Sequence, residues 1–156
     1  MAHKKSPDNR VCTNRRASYN YEILDTLECG IVLVGSEVKS LREKAGSIEE
    51  AYARIERDEL WLIDSHISPY KFGLVTEHEA KRRRKLLVHT REIRKLKPKL
   101  EQKGFTLIPL QIHFNTRGVA KVLLALVRGK RMWDRRQDQK AREHRREMAA
   151  AMRRRR

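Results

Sequence analysis

The strongest constraint on the fold is a pair of apolar segments in the C-terminal half of the chain, FTLIPLQIHFN at 105–115 and GVAKVLLALVRG at 118–129. In the first segment one set of residues alternates with another, as the two faces of a β-strand do. The first set is Thr106, Ile108, Leu110, Ile112 and Phe114, and the second is Leu107, Pro109, Gln111 and His113. The turn-forming residues 115–118 join the two segments, so the sequence predicts an antiparallel hairpin. Pro109 has no backbone N–H, and we therefore expect an edge or a bulge at that position.

Shorter elements punctuated by glycine precede this hairpin. Residues 21–35, YEILDTLECGIVLVG, predict two strands separated by a polar break at Glu28–Gly30. Ser36 is the expected N-cap of a helix, because apolar residues follow it at spacings of three and four. Gly46 is the expected end of that helix.

A second hairpin is predicted at 51–63, where two apolar runs flank a charged turn. The polar residues 73–84 predict a flexible loop, with Lys81–Lys85 as its basic edge. A helix is expected to begin near Thr90, and Pro98 either kinks that helix or starts a second turn.

The pattern predicts roughly five to seven short strands and two or three short helices. Curled strands of this kind in a small basic domain favour a mainly β fold, an antiparallel β-barrel of the oligonucleotide-binding (OB) type with flanking α-helices. An open α+β sandwich is the alternative. We expect this domain to span residues 10–131.

Positive charge is concentrated at the two ends of the chain. The 156 residues include 37 Lys and Arg against 20 Asp and Glu, a net charge of +17. Residues 128–156 contain 13 basic and four acidic residues, and residues 1–16 contain five basic residues and one acid. An excess of this size indicates a polyanionic partner.

The C-terminal charge lies in a segment that lacks core-forming residues. Few apolar residues follow Trp133, so we expect 132–156 to be a basic tail that is disordered in the free protein. The stretch 137–152 has no Gly, Pro or β-branched residue and can fold as a helix once phosphates neutralise its arginines. A solubilising or non-specific tail is the alternative that charge alone leaves open. Residues 1–9 are expected to form a disordered basic N-terminus.

The sequence disfavours an enzyme. It has no phosphate-binding glycine loop, nucleophile elbow or zinc motif, and its six histidines share no ligand spacing, so we expect no metal, cofactor or catalytic site. Cys12 and Cys29 form no CxxC pair, and Cys29 fits a small buried residue better than a nucleophile. No apolar run approaches the ~20 residues of a membrane span. The polar N-terminus is unlike a secretory signal, so a cytoplasmic protein is expected.

Aromatic residues lie among basic ones in two places. Tyr19 and Tyr21 follow a pair of arginines, and Trp133 lies within KRMWDRR at 130–136. Such side chains can stack on exposed bases while arginines contact phosphates. The alternative for Trp133 is that it packs on the end of the barrel.

Several motifs occur in the order that is typical of one family. From the N-terminus they are NRRA at 14–17, ECGI at 28–31, GSEVKSLR at 35–42, YARI at 52–55, HISPY at 66–70, RKLL at 84–87, REI at 91–93, AKV at 120–122 and GKRMWDRR at 129–136. Through them the chain resembles the SmpB family of SsrA-binding proteins of bacterial trans-translation. The resemblance covers about residues 14–136, and its first and last long motifs are highly specific together.

The resemblance implies an OB-type barrel without enzymatic activity that binds the tRNA-like domain of transfer-messenger RNA (tmRNA). It implies delivery of alanyl-tmRNA, with elongation factor Tu, to ribosomes stalled without a codon in the decoding site, where the nascent peptide is tagged for proteolysis. It also implies that the tail enters the vacant mRNA channel of the small subunit, contacts rRNA there and in the decoding centre, and becomes helical on the ribosome. A monomer is expected in the complex.

Two groups of site residues follow from the same resemblance. The expected tmRNA-binding residues are Asn14, Arg15, Arg16, Glu28, Leu87 and Lys121. The residues expected at the ribosomal decoding site are Lys130, Arg131, Trp133, Asp134, Arg135 and Arg136. The terminal run Arg153–Arg156 extends beyond the family pattern.

Other classes of protein share some of these features. A structural ribosomal or rRNA-binding protein would combine a basic tail with a small barrel, and would stay bound to ribosomes at high salt. A DNA-binding module would bind duplex DNA with comparable affinity. A nuclease or RNA-modifying enzyme is disfavoured by the missing carboxylate and metal motifs.

Overall fold

The computed structural model describes residues 9–73 and 78–154, and of residues 132–134 it describes the backbone only. The expected disordered N-terminus, apart from its last residue, lies outside the described residues, as do the final two arginines.

The described chain is mainly β, as predicted, with four short or peripheral helices around an antiparallel barrel. The strands are β1 (Arg10–Thr13), β2 (Tyr21–Ile31), β3 (Gly46–Ser47), β4 (Tyr52–Glu56), β5 (Glu59–Ile63), β6 (His66–Ile67), β7 (Arg84–Leu87), β8 (Phe105–Phe114) and β9 (Ala120–Gly129). The helices are α1 (Ala17–Asn20), α2 (Gly35–Arg42), α3 (Thr90–Glu101) and α4 (Met132–Arg154).

Strand pairing closes the sheet into a ring. Strands β8, β4, β5, β7, β2 and β9 are neighbours in that order, and β9 pairs back with β8. β1 pairs with β8 beside β4, and β3 and β6 form a separate two-stranded sheet. Closure leaves few strand edges open to other chains.

Both predicted hairpins are confirmed. β8 and β9 pair along their whole length, and the register shifts between Pro109 and Gln111, which is the bulge that the proline predicts. β4 and β5 pair around Arg57 and Asp58, which have φ angles of 51° and 58°. Two successive positive φ angles are those of a type I′ turn, whose twist matches that of the flanking strands.

The predicted break in the first strand region is wrong. β2 is one strand that runs through Glu28–Gly30, because β9 pairs with these residues one for one and satisfies their backbone groups. The irregularity lies earlier, between Ile23 and Asp25, where the register with β9 shifts. The polar residue of the expected break, Glu28, is therefore an exposed position of a continuous strand, and Cys29 and Gly30 after it are buried.

The boundaries of α2 also differ from those predicted. The helix begins at Gly35, one residue before the expected cap Ser36. It ends at Arg42, ahead of the expected stop Gly46, because Lys44 has a φ of 58°. This left-handed conformation ends a right-handed helix whether or not the residue is glycine.

Pro98 lies inside α3, which continues for three residues beyond it. A proline removes one backbone hydrogen bond, and the loss is tolerated near the end of the helix because little of the helix follows. Gly104, with a φ of 93°, then turns the chain into β8.

The hydrophobic core fills the barrel and the space beneath α2 and α3. Its most deeply buried side chains are Leu41, Ile48, Leu60, Leu62, Ile67, Leu107, Ile112, Val122 and Leu124. The core also contains both cysteines, Cys12 and Cys29, which are free thiols. Among the described side chains the core ends at β9, and none from Arg135 onward in α4 belongs to it.

A buried ion pair joins α2 to β7. Arg84 and Glu37 are both fully buried, and the Arg84 Nη2 and Nε atoms lie 2.8 and 3.0 Å from Glu37 Oε1. The second carboxylate oxygen accepts hydrogen bonds from Arg82 at 2.8 Å and from the Val34 N–H at 3.1 Å. Arg84 Nη1 donates to the Ser65 carbonyl and hydroxyl oxygens at 2.8 and 2.9 Å. Every strong partner that these two charges need is therefore present.

This network corrects the expectation of a flexible loop with a basic edge. The described part of the predicted loop, from His78 onward, packs against the barrel: the ring nitrogens of His78 lie 2.8 Å from Ser36 Oγ and 3.1 Å from the Ile67 carbonyl oxygen. Two of the five basic residues of the edge, Arg82 and Arg84, turn towards Glu37. Residues 74–77 of the predicted loop lie outside the described residues.

The tail differs from the disordered segment that the sequence predicts. Residues Met132–Arg154 form α4, and their side chains beyond the junction with the barrel are exposed. The residue composition explains the helix, since Ala, Arg, Glu and Gln have high helix propensity and the segment contains no breaker. Contacts with α1 at its N-terminal end also support it.

Replacing Glu37 with Gln should lower the free energy of unfolding by about 3–5 kcal/mol, because Arg84 then stays buried without a counter-charge. Urea unfolding measures this change. The matched control is Glu56→Gln, which removes an exposed ion pair with Arg83 and should change stability little. Equal effects of the two substitutions would contradict the role of the buried pair.

The same pair makes stability depend on pH. Burial alone would raise the pKa of Glu37, but hydrogen bonds from Arg82 and Val34 and the charge of Arg84 outweigh it, so the pKa lies below its usual 4.5. A carboxyl with a lowered folded-state pKa stabilises above its unfolded pKa, and this is lost as pH falls through the folded value. Stability should therefore fall more steeply below pH 4.5 in the wild type than in Glu37→Gln.

Candidate nucleic-acid interface

One line of residues crosses the outer surface of the barrel. Strand register places Leu87 of β7 opposite Gly30 of β2, Gly30 opposite Lys121 of β9, Lys121 opposite His113 of β8, and His113 opposite Arg10 of β1. We term these five residues the transverse row. It brings two of the expected tmRNA-binding residues, Leu87 and Lys121, onto one face.

The strand period explains why this face points outward. The neighbours of the transverse row along each strand are fully or almost fully buried: Cys29, Leu86, Ile112 and Val122. Since successive side chains point to opposite faces of a sheet, the row must face away from the core. Leu87 is accordingly 54% exposed, which is unusual for a leucine in the middle of a small domain.

Glu28 lies beside the transverse row and links two of its strands. Its side chain is 55% exposed, and its Oε2 atom lies 3.3 Å from Nε2 of His113, across the intervening strand. The other ring nitrogen of His113 is buried and has no hydrogen-bond partner among the described residues. A carboxylate held in this way can accept hydrogen bonds from base amino groups or ribose hydroxyls, while Lys121 attracts phosphates.

Gly30 gives the row its shape. A Cβ atom at this position would lie 3.2 Å from Cβ of Leu87, closer than ordinary side-chain contacts allow. The glycine therefore permits close approach of β2 and β7. Gly30 is itself buried, so the row presents the Leu87 and Lys121 side chains on either side of it.

The N-terminal basic block divides between interior and surface. Asn14 is buried: its amide nitrogen donates to the Pro109 and Ile48 carbonyls at 3.3 and 3.5 Å, and its oxygen accepts from the Ala17 N–H at 3.1 Å. Its side chain thus fixes the start of α1 to the barrel rather than facing solvent. Arg15 and Arg16 are exposed.

Arg15 extends the basic surface beyond the transverse row. It lines a shallow cleft with Arg10 and Lys44, and Glu49 also lies in the cleft. Arg16 lies 3.7 Å from Glu49, an exposed pair that restrains the arginine only weakly. Arg15 is therefore connected, through Arg10, to the face that carries Lys121.

Sequence reasoning missed His113, Gly30 and Arg10 as members of this surface. The register of the β8–β9 hairpin follows from its turn, and it sets residue 113 opposite residue 121. That signal could have identified His113. Arg10 and the role of Gly30 depend on pairings between distant segments, for which the sequence carries no comparable signal.

The residues expected at the decoding site differ in exposure where the structure describes their side chains. Lys130 is largely buried, with 13% of its side chain exposed, and its ammonium group pairs with Asp138 and donates to the Ser18 carbonyl at 2.8 Å. Arg131 and Arg136 are exposed on either side of the start of α4, and Arg135 is half-buried. The side chains of Trp133 and Asp134 lie outside the described part of the chain.

Other kinds of site find little support. Among the described residues no three His, Cys, Asp or Glu side chains are placed to hold a metal ion. Burial, with smaller contributions from Glu92 and Glu28, raises the pKa of Cys29 to about 12, so this cysteine is the buried residue that the sequence predicts and not a nucleophile. No helix in the described ranges is long and apolar enough to cross a membrane.

Comparison with known proteins points to one family. The family model described as SmpB protein matches residues 11–154. An SsrA-binding protein of Moorella thermoacetica is 53% identical over 143 residues, which cover 92% of each chain. An SsrA-binding protein of Chlamydia caviae is 49% identical over 144 residues, covering 92% of this chain and 95% of that protein.

Comparison with solved structures points to the same family. The chain is similar, with a TM-score of 0.66 and 52% sequence identity, to a chain of the structure described as "tmRNA-SmpB: a journey to the center of the bacterial ribosome". The similarity covers 77% of this chain and 84% of that one.

Replacing Asn14 with Ala should lower the free energy of unfolding by about 1–3 kcal/mol, because the substitution leaves buried backbone groups unpaired. The affinity of the folded variant for the RNA that co-purifies with the protein should not change. Arg15→Ala is the matched control and should show the opposite pattern, with unchanged stability and weaker RNA binding. Urea unfolding and an RNA titration separate the two roles. Weaker RNA binding by Asn14→Ala at unchanged stability would contradict the interior role of Asn14.

Proposed function

Because the chain belongs to the SmpB family, we propose that it binds the tRNA-like domain of tmRNA and delivers this RNA to stalled ribosomes for trans-translation. In this function it acts in the cytoplasm as a binding protein and catalyses no reaction. It works together with elongation factor Tu, which carries the same alanyl-tmRNA, and one copy binds each complex.

The observation that carries the proposal is the transverse row with Glu28 beside it. Three of the residues expected to bind tmRNA, which are far apart in the sequence, lie on adjacent strands of one face. The face combines a cation, a carboxylate and an exposed apolar side chain. Such a mixture suits a folded RNA that presents phosphates, ribose hydroxyls and splayed bases together.

Recognition by this face depends on shape. A rigid closed barrel holds Lys121 and Glu28 at a fixed separation, so that only an RNA with matching phosphates and hydrogen-bond donors can engage both. Arg10 and Arg15 extend the cationic surface along one side of the face. A tRNA-like fold offers stems, an elbow and splayed bases, whereas a regular duplex offers no splayed bases.

The second part of the proposal concerns α4. In a ribosome that lacks mRNA downstream of the decoding site, the helix can enter the vacant channel, where its arginines pair with rRNA phosphates. Arg131, Arg135, Arg136 and Asp134 then lie near the decoding centre, and Trp133 can stack on a base there. A channel filled with mRNA would exclude the helix sterically. This makes tail insertion the step that distinguishes a stalled ribosome from a translating one.

The competing function is that of a structural ribosomal or rRNA-binding protein. Both functions use a basic barrel with a basic tail, but they predict different bound RNA. Sequencing of the RNA that co-purifies with the protein distinguishes them directly. A predominance of tmRNA supports the proposal, and a predominance of rRNA that survives high-salt washing overturns it.

Replacing Lys121 with Ala should weaken tmRNA binding and make it less sensitive to salt. Loss of one phosphate contact lowers the slope of log affinity against log salt concentration by roughly one unit. Titrations at several salt concentrations measure this slope. Lys97→Ala removes the same charge from α3, where Lys97 pairs with Asp58, and should leave the slope unchanged. Identical slopes for both variants would place the RNA on another face.

Removal of residues 132–156 should leave tmRNA affinity within a few-fold of the wild type and abolish peptide tagging on stalled ribosomes. The barrel is expected to stay folded, because the buried core formed by the described side chains lies between Cys12 and Val127. The readouts are a tmRNA titration and a tagging reaction on ribosomes stalled at the 3′ end of an mRNA. Tagging at the wild-type rate by the truncated protein would show that the tail is not the sensor.

A further inference from the structure

The junction between the barrel and α4 is organised around Lys130. This residue follows β9 directly, and its backbone N–H donates to the Asn20 carbonyl of α1 at 3.1 Å. Its ammonium group donates to the Ser18 carbonyl, also of α1, at 2.8 Å, and pairs with the carboxylate of Asp138 on α4. One side chain at the end of β9 therefore contacts both α1 and α4.

A second contact lies one helical turn further along α4. Arg142 Nη2 is 3.4 Å from Ser18 Oγ, and the Arg142 guanidinium lies 6.0 Å from the centre of the Tyr19 ring. Residues 138 and 142 are four apart, so both side chains project from the same face of α4, the face that meets α1. Two contacts one helical turn apart restrict the orientation of the α4 axis relative to the barrel. A single contact would let the helix rotate about that point.

Only one partner of the central ion pair is sheltered from solvent. Lys130 is 13% exposed and Asp138 is 44% exposed, so solvent screens their attraction in part, and the contacts share partners as a network does. The hydrogen bond and charge of Lys130, with a further contribution from Arg142, hold the pKa of Asp138 below its usual value. This direction agrees with the close approach of the three side chains.

We propose that Lys130, Asp138 and Arg142, with Ser18 and Tyr19 of α1, form a joint that sets the direction in which α4 leaves the barrel. The proposal rests on the function inferred above, because it concerns how a barrel bound to tmRNA aims its tail at the ribosome. In it Lys130, Asp138 and Arg142 are positioning residues. Lys130, which the family resemblance assigns to the decoding site, acts through α4 and contacts no rRNA itself.

The joint matters because two large RNA molecules must be engaged at once. With the barrel held by tmRNA, the entry of α4 into the channel depends on where the helix points. If only a fraction of free molecules has the right direction, the apparent affinity of the tail for its site falls by that fraction. A pre-set direction keeps this fraction high without adding any contact to the ribosome.

The first experiment measures direction without the ribosome. Spin labels are attached at Thr116→Cys in the β8–β9 turn and at Met148→Cys on α4, both of which are exposed, while the native Cys12 and Cys29 are buried. Pulsed electron resonance then gives the distribution of distances between the labels. The joint variant Asp138→Asn with Arg142→Gln should broaden this distribution.

A matched variant separates the joint from the charge of the helix. Glu147→Gln with Arg145→Gln removes the same two charges from exposed positions of α4 that have no contact with the barrel in the described structure. This variant should keep the narrow distribution of the wild type. Equal distributions for the joint variant and the matched variant would overturn the proposal.

The second experiment uses the full-length protein with tmRNA and stalled ribosomes. The joint variant should tag peptides at least about tenfold more slowly than the wild type, while its tmRNA affinity and thermal melting temperature stay those of the wild type. A joint variant that melts earlier and loses tmRNA binding in proportion would show that the contacts only stabilise the fold, and would overturn the proposal. Wild-type tagging rates in the joint variant would do the same.

Failure of the function itself gives a different result. If the wild-type protein neither binds tmRNA nor supports tagging, the proposed function is wrong whatever the joint variant does. The distance measurement does not use RNA, so it tests the joint in that case also.

Discussion

The register of β9 against its two neighbours is the constraint on which the rest of the structure depends. β9 pairs with β2 on one side and with β8 on the other along almost its whole length. Because the period of a strand is two residues, these two registers decide together which side chains fill the barrel and which face outward. A shift of one residue would place Lys121 in the core and Val122 on the surface. The candidate RNA-binding face is therefore specified by the same pairings that form the core.

The number of basic residues overstates the positive charge that the surface carries. Arg84 belongs to the basic run Lys81–Lys85 and Lys130 to the basic C-terminal segment, yet neither is a fully exposed surface charge in the described structure. Arg84 neutralises Glu37 beneath α2, and Lys130 joins α1 to α4. Buried charges of this kind contribute to a fixed arrangement of elements more than to attraction for a polyanion. The cations that remain for RNA are fewer, and their positions are better defined.

The parts of the fold that the sequence predicts are those with local causes. The β8–β9 hairpin and the Pro109 bulge follow from a turn, a period and a missing N–H, all contained within 25 residues. Closure of the ring through Ala53 and Leu107, and the burial of Asn14, depend on segments that are distant in the sequence. The family resemblance predicts a shared RNA-binding role for Glu28, Leu87 and Lys121, and the strand registers place them on adjacent strands of one face. The tail was expected to be disordered because it cannot form a core, but its helix needs only local hydrogen bonds and an anchor at one end.

The burial of both thiols has a consequence for the lifetime of the protein under oxidative stress. Burial raises the pKa of Cys12 to about 11 and that of Cys29 to about 12. The thiolate is the form that peroxides attack, so burial keeps both cysteines in their less reactive protonated form at neutral pH. The interior of the barrel is therefore chemically resistant to oxidation at its two thiols.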